Sequence, residues 1–271
     1  MKTILITGAA SGLGEALAKQ YAKNGWSVCI ADIQQEAGEK LAAELSQTHG
    51  TDCFFHALDV TNDEQWQAIY NAVAARWKGL DAIINNAGVA SSGDIDDLPL
   101  KDFQWTVDVN LMGVVKGCYY FTPMLKKKGG YMVNVASMAG LLHMPSMSAY
   151  NASKAAVVAL SETLCAELDS YNIKVSVLCP AFFQTNLTKN MRATHSGGIK
   201  IANRLMEKSS ISAADVAAKV YQDSLAGKFH ILTHVRENML WRLKRFLPSL
   251  YMSQIKKIGK KFNTKMTQEQ A

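Results

Sequence analysis

Tyr150 and Lys154 stand four residues apart in a stretch, Ser148 to Tyr171, that holds no glycine or proline and is rich in Ala, Leu and Glu. Such a composition favours a helix, and residues four apart on a helix share a face. An ammonium beside a phenol favours the phenolate and lowers the tyrosine pKa from its ordinary value of about 10. A tyrosine tuned in this way exchanges a proton with a substrate hydroxyl near neutral pH, which is general acid–base chemistry. The same pair on an isolated helix is also an ordinary solvated face, so its meaning depends on what surrounds it.

Upstream lie residues suited to a dinucleotide. The first apolar run, Thr3 to Thr7, leads into Gly8-Ala9-Ala10-Ser11-Gly12-Leu13-Gly14 and a helical pattern from about Gly12 to Asn24. Glycines at a strand-to-helix turn let a pyrophosphate approach the backbone, and the helix N-terminus offers amide donors and the positive end of a dipole. A second apolar run, Ser27 to Ala31, ends at Asp32, where an acid accepts the hydroxyls of an adenosine ribose. A carboxylate there repels a 2′-phosphate, and no Arg or Lys stands in the glycine turn or directly after Asp32. NAD is therefore expected in preference to NADP. The third run, Cys53 to Leu58, is followed by Asp59-Val60, and the fourth, Ala82 to Ile84, by Asn85-Asn86-Ala87-Gly88.

These residues need a frame. Apolar runs continue at Tyr131 to Ala136, Val175 to Leu178 and Phe229 to Leu232, separated by helical stretches that include Gln35 to Ser46, a capping-box-like start at Thr61-Asn62-Asp63-Glu64, and about Lys101 to Lys127. Short apolar strands alternating with helices imply an α/β fold: a doubly wound, Rossmann-type parallel sheet of seven strands with helices on both faces. One domain is expected over residues 1–235, with a cofactor half to about 136 and a catalytic half from 137, followed by an extension over 236–271.

Composition excludes several classes. Hydrophobic content of 48% against 19% charged residues is that of a globular chain rather than a disordered one. No apolar run reaches the length of a membrane span, and Ile4-Leu5-Ile6 is too short for a signal-peptide core, so a cytoplasmic protein is expected. The five cysteines (Cys29, Cys53, Cys118, Cys165, Cys179) are scattered among apolar neighbours and read as reduced thiols. His230 and His234 have suggestive spacing but straddle a strand end, and no metal site is expected.

With these motifs in hand, the chain resembles the short-chain dehydrogenase/reductase family over about residues 1–235. Thr7-Gly8-x-x-x-Gly12-x-Gly14, Asn85-Asn86-Ala87-Gly88, Ser137 and Tyr150-x-x-x-Lys154 occur in that family's order and spacing. The resemblance implies that Tyr150 is the acid/base, that Lys154 lowers its pKa and binds the nicotinamide ribose, and that Ser137 orients the substrate oxygen. It implies that Asn110 holds a water extending the relay from Lys154. For the cofactor it implies Ser11 and Leu13 at the phosphate turn, Asp59 and Val60 beside the adenine, and Asn86 and Ala87 beside the ribose, with Gly88 next to them. Pro180, Phe183 and Thr185 follow the sixth strand, with Thr185 placed for the carboxamide. Ala181 stands where the family usually has glycine, which predicts a local difference in backbone. The family also implies a homo-oligomer, a dimer or tetramer built on the helices of Asn110 and Tyr150.

The substrate side reads as apolar. Met138, Leu141, Leu142, Met144, Pro145 and Met147 lie between Ser137 and Tyr150, with His143 the one ionisable residue among them. Phe182, Phe183, Leu187 and Met191 follow Pro180. A lipophilic secondary alcohol or ketone is expected. The alternatives are a reductase of acyl-chain or other carbonyls, and a non-catalytic NAD-sensing scaffold. The extension carries 9 basic and 2 acidic residues, against 20 and 21 in residues 1–235. Met239, Leu240, Leu243, Phe246 and Leu247 recur at helical spacing up to Pro248. Tyr251, Ile255, Ile258 and Phe262 form a second stripe beside Lys256, Lys257, Lys260 and Lys261. Packing on its own domain or a neighbouring subunit competes with peripheral contact at an anionic membrane; no nucleic-acid partner is expected.

Overall fold

The computed structural model describes the backbone of residues 1–185, 187–188 and 190–270, and side chains over the same range except 196, 201 and 261–270. Seven strands form one parallel sheet: β1 (Lys2–Thr7), β2 (Trp26–Asp32), β3 (Phe54–Ala57), β4 (Ala82–Asn85), β5 (Gly130–Val135), β6 (Ile173–Cys179) and β7 (His230–Leu232). Their spatial order is β3-β2-β1-β4-β5-β6-β7. The chain winds outward from β1 in one direction and then, from β4, in the other. That reversal opens a crevice at the carboxyl ends of β1 and β4, where open α/β sheets bind ligands.

Alternation along the strands explains why both faces are covered. Ile4, Ile6, Val28, Ile30 and Val133 point to one side, into a core completed by α1 (Gly12–Lys23), α2 (Gln35–His49) and, further along the chain, the 213–225 helix. Leu5, Cys29, Ile83, Met132 and Val175 point to the other. There they meet α3 (Asp63–Trp77), the 100–126 helical region and the helix that carries Tyr150. The expected doubly wound sheet, with its seven strands and helices on both faces, is the observed one.

Several local expectations change. The helical region of 101–127 is three segments: α4 (Leu100–Val107), a π turn (Asp108–Met112) and α5 (Gly113–Lys126). A π turn inside a helix is a local widening that favours a functional position, and this one contains Asn110. At the start of α3 only half a capping box forms. The Asn62 side chain accepts from Gln65 N at 3.0 Å, but Gln65 turns its own oxygen to Asp59 N at 2.6 Å. Ser91–Ser92 pairs in parallel with Arg192–Ala193, a two-residue ladder that the apolar pattern did not show.

After β5 comes α6 (Ser148–Leu168), then α7 (Ser196–Glu207), α8 (Ala213–Leu225), α9 (Val235–Phe246) and α10 (Pro248–Gln270). The extension packs on its own chain. Trp241 lies against the second core, Lys244 Nζ donates to Leu141 O at 2.6 Å, and His143 N donates to the Tyr251 hydroxyl at 3.0 Å. The side chains of Lys261 and Phe262 lie outside the described residues. Among the described residues no helix is long and apolar enough to cross a membrane. Cys29, Cys53, Cys118 and Cys179 are buried, Cys165 is half-buried, and all five are free thiols.

Candidate active site

The glycine turn sits at the mouth of the crevice. Gly8 and Gly12 have φ of 63° and 56°, which lets the chain turn from β1 into α1 without strain. Ser11 is the N-cap of α1 in extended conformation, and its side chain makes no capping bond, so its hydroxyl does not occupy the first amides of the helix. Thr7 ties this turn to the end of β4. Its hydroxyl accepts from Asn86 N at 2.9 Å and Ala87 N at 3.0 Å, while Asn86 Nδ2 donates to Thr7 O at 2.8 Å and Gly8 O at 3.1 Å.

Asp32 closes the same side. Buried at the end of β2, it accepts from Ala10 N at 2.9 Å and Gln34 N at 3.0 Å. The carboxylate is thereby held against the glycine turn. Asp59 accepts from Thr61 N at 2.9 Å and from its hydroxyl at 2.7 Å, which shapes the rim after β3.

The catalytic candidates converge from α6, β5 and the π turn. A chain of buried side-chain bonds ties β4, β5 and α6 together: Asn85 Nδ2 donates to Asn134 Oδ1 at 2.8 Å, and Asn134 Nδ2 to Ser161 Oγ at 3.0 Å. Lys154 and Asn110 are both buried, and both crowd Gly88. A methyl group on that glycine would lie 3.1 Å from Asn110 Oδ1 and 3.4 Å from Lys154 Nζ. Asn110 clamps Val89 at both ends, accepting from its N at 2.8 Å and donating to its O at 2.9 Å, and it donates to Ser153 Oγ at 3.3 Å. Ser137 lies beside Pro180, whose carbonyl is 3.5 Å from its hydroxyl.

The electrostatics correct one expectation. Burial pushes the Tyr150 phenol above its ordinary value, and a hydrogen bond with the Ser137 hydroxyl pulls it back part of the way. Lys154 is not what lowers it. The lysine donates instead to Val135 O at 2.9 Å, and burial brings its own pKa down to about 8. Loss of water from around both groups drives the two shifts.

One cleft of about 660 Å³ runs past these groups. Gly8, Ser11, Gly12, Leu13, Gly14, Asp32, Asp59 and Val60 line it, as do Asn86, Ala87, Gly88, Lys154, Pro180, Phe183 and Thr185. Every expected cofactor contact except Tyr150 is therefore on its wall. Tyr150, Ser137 and Asn110 are not among the residues that line it: Tyr150 is one helical turn from Lys154, Asn110 bonds the backbone of Val89, and the Ser137 hydroxyl is 3.5 Å from Pro180 O. The cleft also takes in Ile33, Gln34, Val89, Trp105, Val109 and Val135, none of which carried a motif.

Ala181 needs no special backbone. Among the described non-glycine residues positive φ occurs at Lys78, Ser146 and Asn172, and the 181 position is held by His234, whose Nδ1 accepts from Ala181 N at 3.3 Å. His230 packs on Trp241 with ring centroids 5.0 Å apart, so the two histidines serve different neighbours. On the substrate side Met138 and Leu141 are core, while Met144 and Phe182 are exposed. The His143 ring is half-buried, with burial and then Lys244 lowering its pKa.

The chain matches the family model for short chain dehydrogenases over residues 2–196. It belongs to that family. It is thus an oxidoreductase of the short-chain type. It is 35% identical over 196 residues to a trans-4-hydroxycyclohexanecarboxylate dehydrogenase of Sinomonas cyclohexanicum, covering 70% of this chain and 76% of that protein. A short chain dehydrogenase/reductase of Burkholderia phymatum, solved in complex with NAD, superposes with a TM-score of 0.86 at 32% identity, covering 92% of this chain and 94% of that one. An alcohol dehydrogenase of Thermococcus sibiricus, complexed with 5-hydroxy-NADP, gives 0.75 at 26% identity, covering 86% and 96%.

Proposed function

We propose that this short-chain dehydrogenase uses NAD to interconvert a lipophilic secondary alcohol and its ketone. One observation carries the proposal: a single cleft joins Asp32, on β2, to Lys154, which is bonded to β5 across the width of β1 and β4. The glycine turn, the unpaired N-terminal amides of α1 and the close approach at Gly88 fit an extended dinucleotide between them. When bound, the nicotinamide accepts or delivers the hydride.

The chain supplies the rest. Tyr150 takes the proton from the substrate oxygen, or returns it, while Ser137 holds the phenol and the same oxygen in register. The Lys154 ammonium, held one turn away by Val135 O, would bind the nicotinamide ribose, and the Ser137 hydroxyl is what draws the phenol back toward its ordinary value. Asn110 supports the relay through its main chain, since both hydrogens of its side-chain amide are taken by Val89 O and Ser153 Oγ and its oxygen accepts from Val89 N. The buried Asp32 carboxylate supports NAD over NADP by repelling a 2′-phosphate. Exposed Met144 and Phe182, with Leu187 on the cleft wall, support an apolar substrate.

The test is NADH formation over a panel of steroid, hydroxyacyl ester and aryl carbinol substrates, with an NADP⁺ series and Tyr150→Phe alongside. Turnover with NAD⁺ that falls by about 10³-fold or more in the variant, with NADH binding intact, is the expected result. Silence across the panel, or near-normal turnover by Tyr150→Phe, would overturn it.

A further inference from the structure

α9 turns an apolar ridge away from the protein. Trp241 packs on the second core and Lys244 donates to Leu141 O, so the side bearing these residues and Glu237 faces inward. On the opposite side Val235, Met239, Leu243 and Phe246 follow one another at helical spacing, and Val235, Met239 and Phe246 are 78%, 66% and 78% exposed. A helix that served only to cover its own domain would turn such a stripe inward.

Charge flanks the ridge. Arg236 and Arg242 border it on its two sides, both are exposed, and among the described residues neither is ion-paired. The only carboxylate of α9, Glu237, is on the inward side. α10 continues the division: Tyr251, Ile255 and Ile258 are half-buried, while Leu250, Met252, Lys256 and Lys257 are exposed.

Apolar side chains between unpaired cations match a surface that is itself apolar beneath a layer of negative charge. A second copy meeting this face by a two-fold axis would bring Arg236 and Arg242 against their own kind. Nucleic acid would satisfy the arginines and leave Val235, Met239 and Phe246 facing water. We propose that the outer face of α9, extended by α10, docks the protein peripherally on an anionic phospholipid bilayer. The same two helices hold the loop of Leu141 to His143 from within, through Lys244 and Tyr251, so lipid contact and the substrate side share one support.

The experiment is flotation of the full-length protein with vesicles of phosphatidylcholine alone, or of phosphatidylcholine containing about one-third phosphatidylglycerol. Binding to the anionic vesicles at low salt, and little to the neutral ones, is expected. Each cation near an anionic leaflet contributes about fivefold in partitioning, so Arg236→Gln with Arg242→Gln should lower it by about tenfold or more. Met239→Ser with Phe246→Ser should lower it at least as far, with the melting temperature unchanged. High salt should abolish the arginine contribution first. No partitioning of the wild type onto anionic vesicles, or partitioning that neither double variant alters, would overturn the proposal. So would light scattering in which the Met239/Phe246 variant loses half the solution mass of the wild type, because the ridge would then be a contact between copies.

Discussion

The ammonium of Lys154 donates to the main-chain carbonyl of Val135 at 2.9 Å, linking α6 to the end of β5 inside the cleft wall. That bond holds a buried cation one helical turn from Tyr150. The site has function built into it at a cost in stability.

The cost predicts a pH signature. Burial lowers the Lys154 pKa from 10.5 to about 8, so between these values the unfolded chain binds a proton that the folded chain does not. The penalty is complete below pH 8 and fades as pH rises toward 10.5. Lys154→Met should therefore stabilise the protein at pH 7 by roughly 1–2 kcal/mol, after allowing for the carbonyl left unpaired at Val135, while abolishing turnover. Urea unfolding of both proteins at pH 7 and pH 10 checks this. The gap should narrow at the higher pH, and a gap that stays constant would remove the buried ammonium as its source.

Asp32 predicts cofactor choice. Its two oxygens are already occupied by Ala10 N and Gln34 N, so the carboxylate is fixed in place rather than free to swing away from a phosphate. Asp32→Ser removes the charge and keeps an acceptor. The ratio of kcat/KM for NAD⁺ to that for NADP⁺ should fall by about 10–100-fold, a change of roughly 1.4–2.8 kcal/mol. An unchanged ratio would mean that discrimination lies elsewhere in the cleft.

Much of this was legible in the sequence because it is local. The glycine turn, Asp32 after the second run and the Tyr150–Lys154 pair are each set by neighbours along the chain. What was not legible depends on distant ones. Asn134 and Ser161 look like ordinary strand and helix residues until the fold stacks them on Asn85. The π turn around Asn110 has no compositional mark, and its reason, the clamp on Val89, spans 21 residues. The direction of the Tyr150 shift depends on how much water the fold removes, which i, i+4 spacing does not report.

Gly14 is a steric test of the turn. A methyl group there would run into the carbonyl oxygen of Gly8, and would lie 2.7 Å from Gly8 C and 2.8 Å from Ala9 Cα. All three are backbone atoms of the turn, so α1 cannot be seated against β1 without shifting the amides that would face a pyrophosphate. Gly14→Ala should weaken NADH binding by at least about tenfold in fluorescence titration. Unaltered binding would show that the turn is not the phosphate site.

The spacing of His234 from His230 serves no shared site among the described residues; His234 positions the chain after Pro180. Nε2 is 3.1 Å from Phe182 O, a carbonyl, so it carries the proton and donates. Nδ1 is therefore bare, and it accepts from Ala181 N at 3.3 Å and from the Thr233 hydroxyl at 2.7 Å. One ring thus pins both residues between Pro180 and Phe183, two members of the cleft wall. His234→Asn can keep an acceptor near Nδ1, and His234→Gln a donor near Nε2, whereas His234→Ala keeps neither. With each bond contributing about 1 kcal/mol, KM for NAD⁺ should rise about fivefold in the two amide variants and further in the alanine variant, with kcat much less affected. Equal effects in all three would mean that the ring acts by packing rather than by its two hydrogen bonds.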